Sequence, residues 1–148
     1  MIIDKLETEY KKVFTDSLFT SHNWTNFFGN NKESYVIRLY LAKNEEESIN
    51  RILDNDIFMI SFDINKIDSE NWEIKTIHNC YKTIPMEDYL YCSHKKIAFR
   101  KTIGNEQKIV ETFSKFVNRL HEQLLEDYNN GLIHKNDLEL FKLKLGVE

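Results

Sequence analysis

Two short patterns hold the residue types with the most chemical potential. His78-Asn79-Cys80 and Cys92-Ser93-His94 each set an imidazole and a thiol two positions apart. In an extended strand, residues i and i+2 share a face. A hairpin joining the two segments would bring together two sulfurs and two imidazoles, a ligand set that zinc accepts in a tetrahedral site. The same residues offer a thiol–imidazole pair for nucleophilic catalysis. Lys95 and Lys96 beside Cys92 supply the positive setting that makes a thiol reactive.

Strand parity argues against convergence. His78 and Cys80 fall on the side of Trp72, the expected core side, whereas Cys92 and His94 alternate with Tyr91, Ile97 and Phe99 and would point away unless a bulge intervened. The tight Cys-x-x-Cys spacing of structural zinc sites is absent. The expectation is therefore no metal and no cofactor, with a small enzyme or metal-stabilised domain centred on His78, Cys80, Cys92 and His94 as the alternative. His121-Glu122 begins like a metalloprotease His-Glu-x-x-His, but Leu125 stands where the second ligand belongs. The four glycines form no phosphate-cradling motif and no nucleophile elbow. No catalytic residues are assigned, and the balance favours a protein that is not an enzyme.

Charge is distributed unevenly. Residues 44–73 hold nine acids, among them Glu45, Glu46, Asp54, Asp56, Asp63, Asp68 and Glu70, against two bases, for a net of −7. The rest of the chain is +3, with a small basic cluster at Lys95, Lys96, Arg100 and Lys101. A charge run is usually a solvated face, but zones of opposite sign also steer partners. Aromatic residues collect in two polar stretches, Trp24, Phe27 and Phe28 in one, and Tyr81, Tyr89 and Tyr91 with Met86 around Pro85 in the other. Trp24 and Phe28 are expected to fold back over the ends of a sheet. Met86 and Tyr89 are candidate contact residues, since aromatics and Met are enriched at interfaces.

The elements that must position these groups follow from periodicity. Ile2, Ile3, Leu6, Tyr10, Val13, Phe14 and Leu18 recur at helical steps, so the spacing predicts a helix ending near Phe19, followed by a loop over 21–33. Residues 34–42 and 57–64 read as strands, the second central and covered on both faces. Between them, Asn44 and the acids after it open a short helix. Residues 71–81 alternate, with Trp72, Ile74 and Thr76 on one side and Glu73 and Lys75 on the other, and 91–103 alternate again, with Ile97, Phe99 and Ile103 inward; the two runs form a hairpin. A long amphipathic helix opens after Gly104-Asn105 with Ile109, Phe113, Phe116, Val117, Leu120, Leu124 and Tyr128 in its stripe, and stops at Asn129-Asn130-Gly131. Residues 137–145 read as a short helix, with a strand as the other option. The expected architecture is a single α+β domain over 1–148. A mainly antiparallel sheet of about four strands carries the N-terminal and long C-terminal helices on one face.

Composition bounds the function. The 148 residues are 41% hydrophobic and 30% charged, with a formal net charge of −4, enough apolar matter for a core of ordinary size. An acidic chain is a poor nucleic-acid binder. No apolar run approaches the ~20 residues of a membrane helix. The opening MIIDKLETEYKK has acids where a signal peptide needs a positive start. Cys80 and Cys92 are too few for a disulfide scaffold, which points to a reducing cytoplasm. The residues carry no resemblance to a known family. The expected function is a small binding protein acting through a protein–protein interface. Its concrete form would be an immunity protein or inhibitor that neutralises a basic toxin or nuclease, with a chaperone or adaptor as a further alternative. Expected contacts are Glu45, Glu46, Asp54, Asp56, Asp63, Asp68, Glu70, Met86 and Tyr89.

Overall fold

The computed structural model describes residues 1–15, 17–25, 32–40, 58–83, 93–96 and 98–130. The predicted helices at 44–55 and 137–145 lie outside them. The first helix, α1, spans Ile2–Val13 and buries Ile2, Ile3, Leu6 and Tyr10. Asp4 in its first turn and Lys11 and Lys12 in its last complement the helix dipole. It stops earlier than the periodicity predicts. The Phe14 N–H still donates to the Tyr10 carbonyl at 2.9 Å, but the chain then turns at Thr15, and the Lys11 ammonium donates to the Ser17 carbonyl across the bend.

Residues 19–23, expected as a helix end and loop, form a strand instead. β1 (Phe19–Asn23) pairs antiparallel with β2 (Ser34–Tyr40), Phe19 opposite Leu39 and Asn23 opposite Tyr35. Only Phe19 reaches the core, so β1 has no alternating apolar signal. Next in the meander are β3 (Phe58–Lys66), β4 (Trp72–Thr83) and β5 (Ser93–Lys96), and β6 (Thr102–Gly104) pairs with β4 beside β5. The path is therefore five antiparallel strands, with the three-residue β6 as a sixth, rather than about four. The β3–β4 turn is held by Asp68, whose Oδ1 accepts the N–H groups of Glu70 and Asn71 at 2.9 Å each.

The second helix, α2, spans Glu106–Asn129. Asn105 caps it, its Oδ1 accepting the Lys108 N–H at 2.9 Å. Ile109, Phe113, Phe116, Val117, Leu120 and Leu124 are all buried, as the stripe predicts. α1 and α2 run side by side in the same direction. Lys5 pairs with Glu106 at 2.9 Å, the Ser114 hydroxyl donates to Glu9 at 3.2 Å, and the Phe14 ring meets His121 at 5.8 Å. Both helices cover the sheet face that presents Tyr35, Ile37, Leu39, Ile60, Phe62, Ile64, Trp72 and Ile74, and together these residues make one core. Phe62 is its hub. The rings of Phe99, Phe113 and Phe116 stand edge-on to it at 5.0, 5.5 and 5.4 Å.

Two expectations about facing change. Ser61 pairs with His78 but Phe62 pairs with Thr76, so Ile77 is an extra residue on β4. That bulge flips the parity of the strand beyond it. His78 and Cys80 therefore occupy register positions on the face away from Trp72, not on its side. The alternation predicted for 91–103 also breaks. Residues 98–101 are irregular, and Thr102, not Ile103, shares the core side with Ile74. Ile103 pairs with Glu73 and is 49% exposed.

Candidate functional site on the outer face of the sheet

With both helices on one side, the other side of the sheet carries the outward residues of each strand. The register lines them up in cross-strand rows. Thr20, Arg38, Ser61 and His78 make one row across β1, β2, β3 and β4. His22, Val36, Asp63 and Lys75 make the next. Residues directly opposite in such rows have Cβ atoms ~4.5–5.5 Å apart. The middle of this face is sheltered. Ser61 is 4% and Val36 9% exposed, and Arg38 and Asp63 are half-buried.

Towards the β4–β6 edge the same face opens and becomes mixed in character. Ile77 is 58% exposed because the bulge turns it away from the core. Ile103 stands out on β6 beside Glu73. Glu73 ties the charges between them, with Lys101 at 3.7 Å and Lys75 at 4.0 Å. The result is two exposed branched aliphatics set among compensated charges.

The acidic residues expected to form one surface divide. Asp63 is in the second cross-strand row. Asp68 and Glu70 are exposed at the tip of the β3–β4 turn. The Asp68 carboxylate is already engaged. The Glu70 N–H, then Asn71, hold its pKa below the usual carboxylate range. Glu45, Glu46, Asp54, Asp56, Met86, Tyr89 and Cys92 lie outside the described residues. The β4–β5 register sets His94 opposite Lys82 and Cys80 opposite Lys96. Positions 80 and 94 are thus diagonal neighbours on one face, whereas position 78 is four residues, or ~13 Å, along β4 from the level of His94. Two of the four expected chemical residues are brought near one another and a third is held apart. Among the described residues, no group of three His, Cys, Asp or Glu could hold a metal ion.

His121 and Glu122 are on α2, the first half-buried against Phe14 and the second exposed, with Leu125 packed on the core. Trp24 follows β1 directly, its backbone N–H donating to the Ser34 carbonyl at 2.7 Å, and Phe28 lies outside the described residues. Open grooves run along α1, one lined by Asp4, Glu7, Thr8, Lys11 and Lys12. Among the described residues, no helix is long and apolar enough to cross a membrane.

The residues that sequence reading missed are Thr20, Arg38, Ser61, Ile77 and Ile103. Arg38 did leave a signal, as a charge in the middle of an otherwise apolar strand. The other four depend on pairing between distant segments. No family model, curated protein or solved structure matches the chain.

Proposed function

We propose that the chain is a binding protein that engages another protein through the outer face of its sheet. The observation that carries this reading is the exposure of Ile77 and Ile103 on that face, beside the Glu73, Lys75 and Lys101 charges. Exposed aliphatics rimmed by charge are the composition of an interaction surface. The partner is a basic protein, such as a toxin or nuclease that this chain would neutralise. The support for its charge is the net −7 of residues 44–73, a segment that includes β3, the central strand of that face. Asp63 and Glu70 are the proposed acidic contacts in the described part, and Glu45, Glu46, Asp54 and Asp56 are proposed contacts from the same acidic segment of the sequence. Met86 and Tyr89 are further proposed contacts. The compartment that fits a chain with only two cysteines is the cytoplasm.

The test is association kinetics with the isolated partner at two ionic strengths. Replacing both Ile77 and Ile103 by Asp weakens binding at least tenfold with little change in thermal stability. Reversing Asp54 and Asp56 to Lys slows association at least tenfold at low salt, an effect that fades as salt screens charges over ~8–10 Å. Wild-type affinity in the I77D/I103D variant contradicts the sheet-face reading. Wild-type association in the charge-reversed variant contradicts the basic-partner reading.

A further inference from the structure

Arg38 sits in the middle of the outer face on β2, with Thr20 opposite it on β1 and Ser61 opposite it on β3. Its side chain is half-buried, and among the described residues it has no ion-pair partner. On one side, the Thr20 hydroxyl oxygen is buried and, among the described residues, has no hydrogen-bond partner. On the other, Ser61 is 4% exposed. A buried hydroxyl in a folded protein nearly always has a partner, so one without it marks a place where a further group fits. A guanidinium is a weakly hydrated planar fork that matches the oxygens of a carboxylate or phosphate two at a time. Hydroxyls on either side of it add O–H donors to the same oxygens. Val36, nearly buried in the next row, keeps the surroundings apolar and strengthens such contacts.

We propose that the Thr20–Arg38–Ser61 row is an oxyanion site that takes a phosphate or carboxylate group of a ligand. The guanidinium supplies charge and orientation, and the two hydroxyls complete the donor set. Among the described residues, the opposing charge nearest in register on this face is Asp63, two residues from Ser61 on β3 and opposite Val36, the next outward position along β2 from Arg38. It repels an anion at Arg38, so its removal tightens binding. This inference does not rest on the protein-partner reading, because a small anion fills the site whether or not a protein covers the face.

The experiment titrates the full, isotope-labelled chain with inorganic phosphate, and separately with acetate, at constant ionic strength. NMR follows the Arg38 Nε–H and Thr20 amide signals. A saturable shift at both signals is expected, at least tenfold weaker in R38Q, several-fold weaker in T20V and several-fold tighter in D63N. Preference for phosphate assigns a phosphoryl ligand and preference for acetate assigns a carboxylate. Shifts that do not saturate, or that are equal in wild type and R38Q, overturn the proposal as adventitious ion association only. Should R38Q fail to fold, T20V and D63N decide, and unchanged affinity in both overturns it.

Discussion

Ser61 on β3 stands opposite His78 on β4, while the next residue of β3, Phe62, stands opposite Thr76. Ile77 is the residue left over, and its insertion lets Phe62 stay in the core while His78 takes a place on the outer face. Since Ile77 is the extra residue, deleting it leaves the pairings on both sides intact. The deletion variant is expected to fold and to lose less than about 2 kcal/mol in urea unfolding. I77D/I103D, which changes only exposed side chains, is expected within about 0.5 kcal/mol of wild type. Failure of the deletion variant to fold would mean that Ile77 belongs to the ladder and that the parity of β4 is other than described.

Phe113 is fully buried, with its ring 5.5 Å from that of Phe62. Phe113→Ala empties the centre of the core and is expected to cost about 3–5 kcal/mol in denaturant unfolding. A loss below about 1 kcal/mol would show that α2 does not pack on this sheet face in solution.

Much of this core was legible in the sequence because each contributing run repeats at its own period. The α2 stripe runs along a helix of 24 residues, and Trp72 and Ile74 alternate cleanly with Glu73 and Lys75. The pattern failed where pairing, not propensity, decides the outcome. β1 is polar apart from Phe19 and becomes a strand because β2 offers it a ladder. The bulge at Ile77 leaves no mark, since a β-branched residue there reads as ordinary strand. The outer-face row of Thr20, Arg38 and Ser61 joins three separate segments and has no local signature. The acidic residues were visible as a charge run, but not the use of Asp68 as a turn-former.

Glu9 links the two helices at their seam. The Lys12 ammonium hydrogen-bonds its carboxylate at 2.9 Å and, with a smaller contribution from the Ser114 hydroxyl, holds its pKa below the usual range. A depressed folded-state pKa contributes stability above the unfolded value of ~4.3 and loses it as pH falls through the folded value. Glu9→Gln is therefore expected to lower Tm slightly at pH 7, with the gap closing as the pH falls through the depressed folded value. A gap that persists or widens in acid would assign the effect to packing.

Asp127 behaves in the opposite sense. It is 1% exposed on the last turn of α2 and accepts a hydrogen bond from Gln123 at 3.0 Å, and burial raises its pKa. A raised carboxyl pKa contributes stability below the unfolded value of ~3.9 and loses it as pH rises through the folded value. The Tm of Asp127→Asn minus that of wild type is therefore expected to increase between pH 3 and pH 7 in parallel thermal melts. A flat or falling difference would contradict the burial account.

The central claim, that the outer face of the sheet is the binding surface, is tested most directly by site-specific photo-cross-linking in the native cell. A photoreactive side chain is placed at Ile77, at Ile103 and, on the opposite side of the molecule, at the exposed Glu111 of α2. The account predicts one discrete adduct from positions 77 and 103, with the same basic protein identified in both by mass spectrometry, and no such adduct from position 111. No discrete adduct from either sheet position, or the same adduct from position 111, would contradict it.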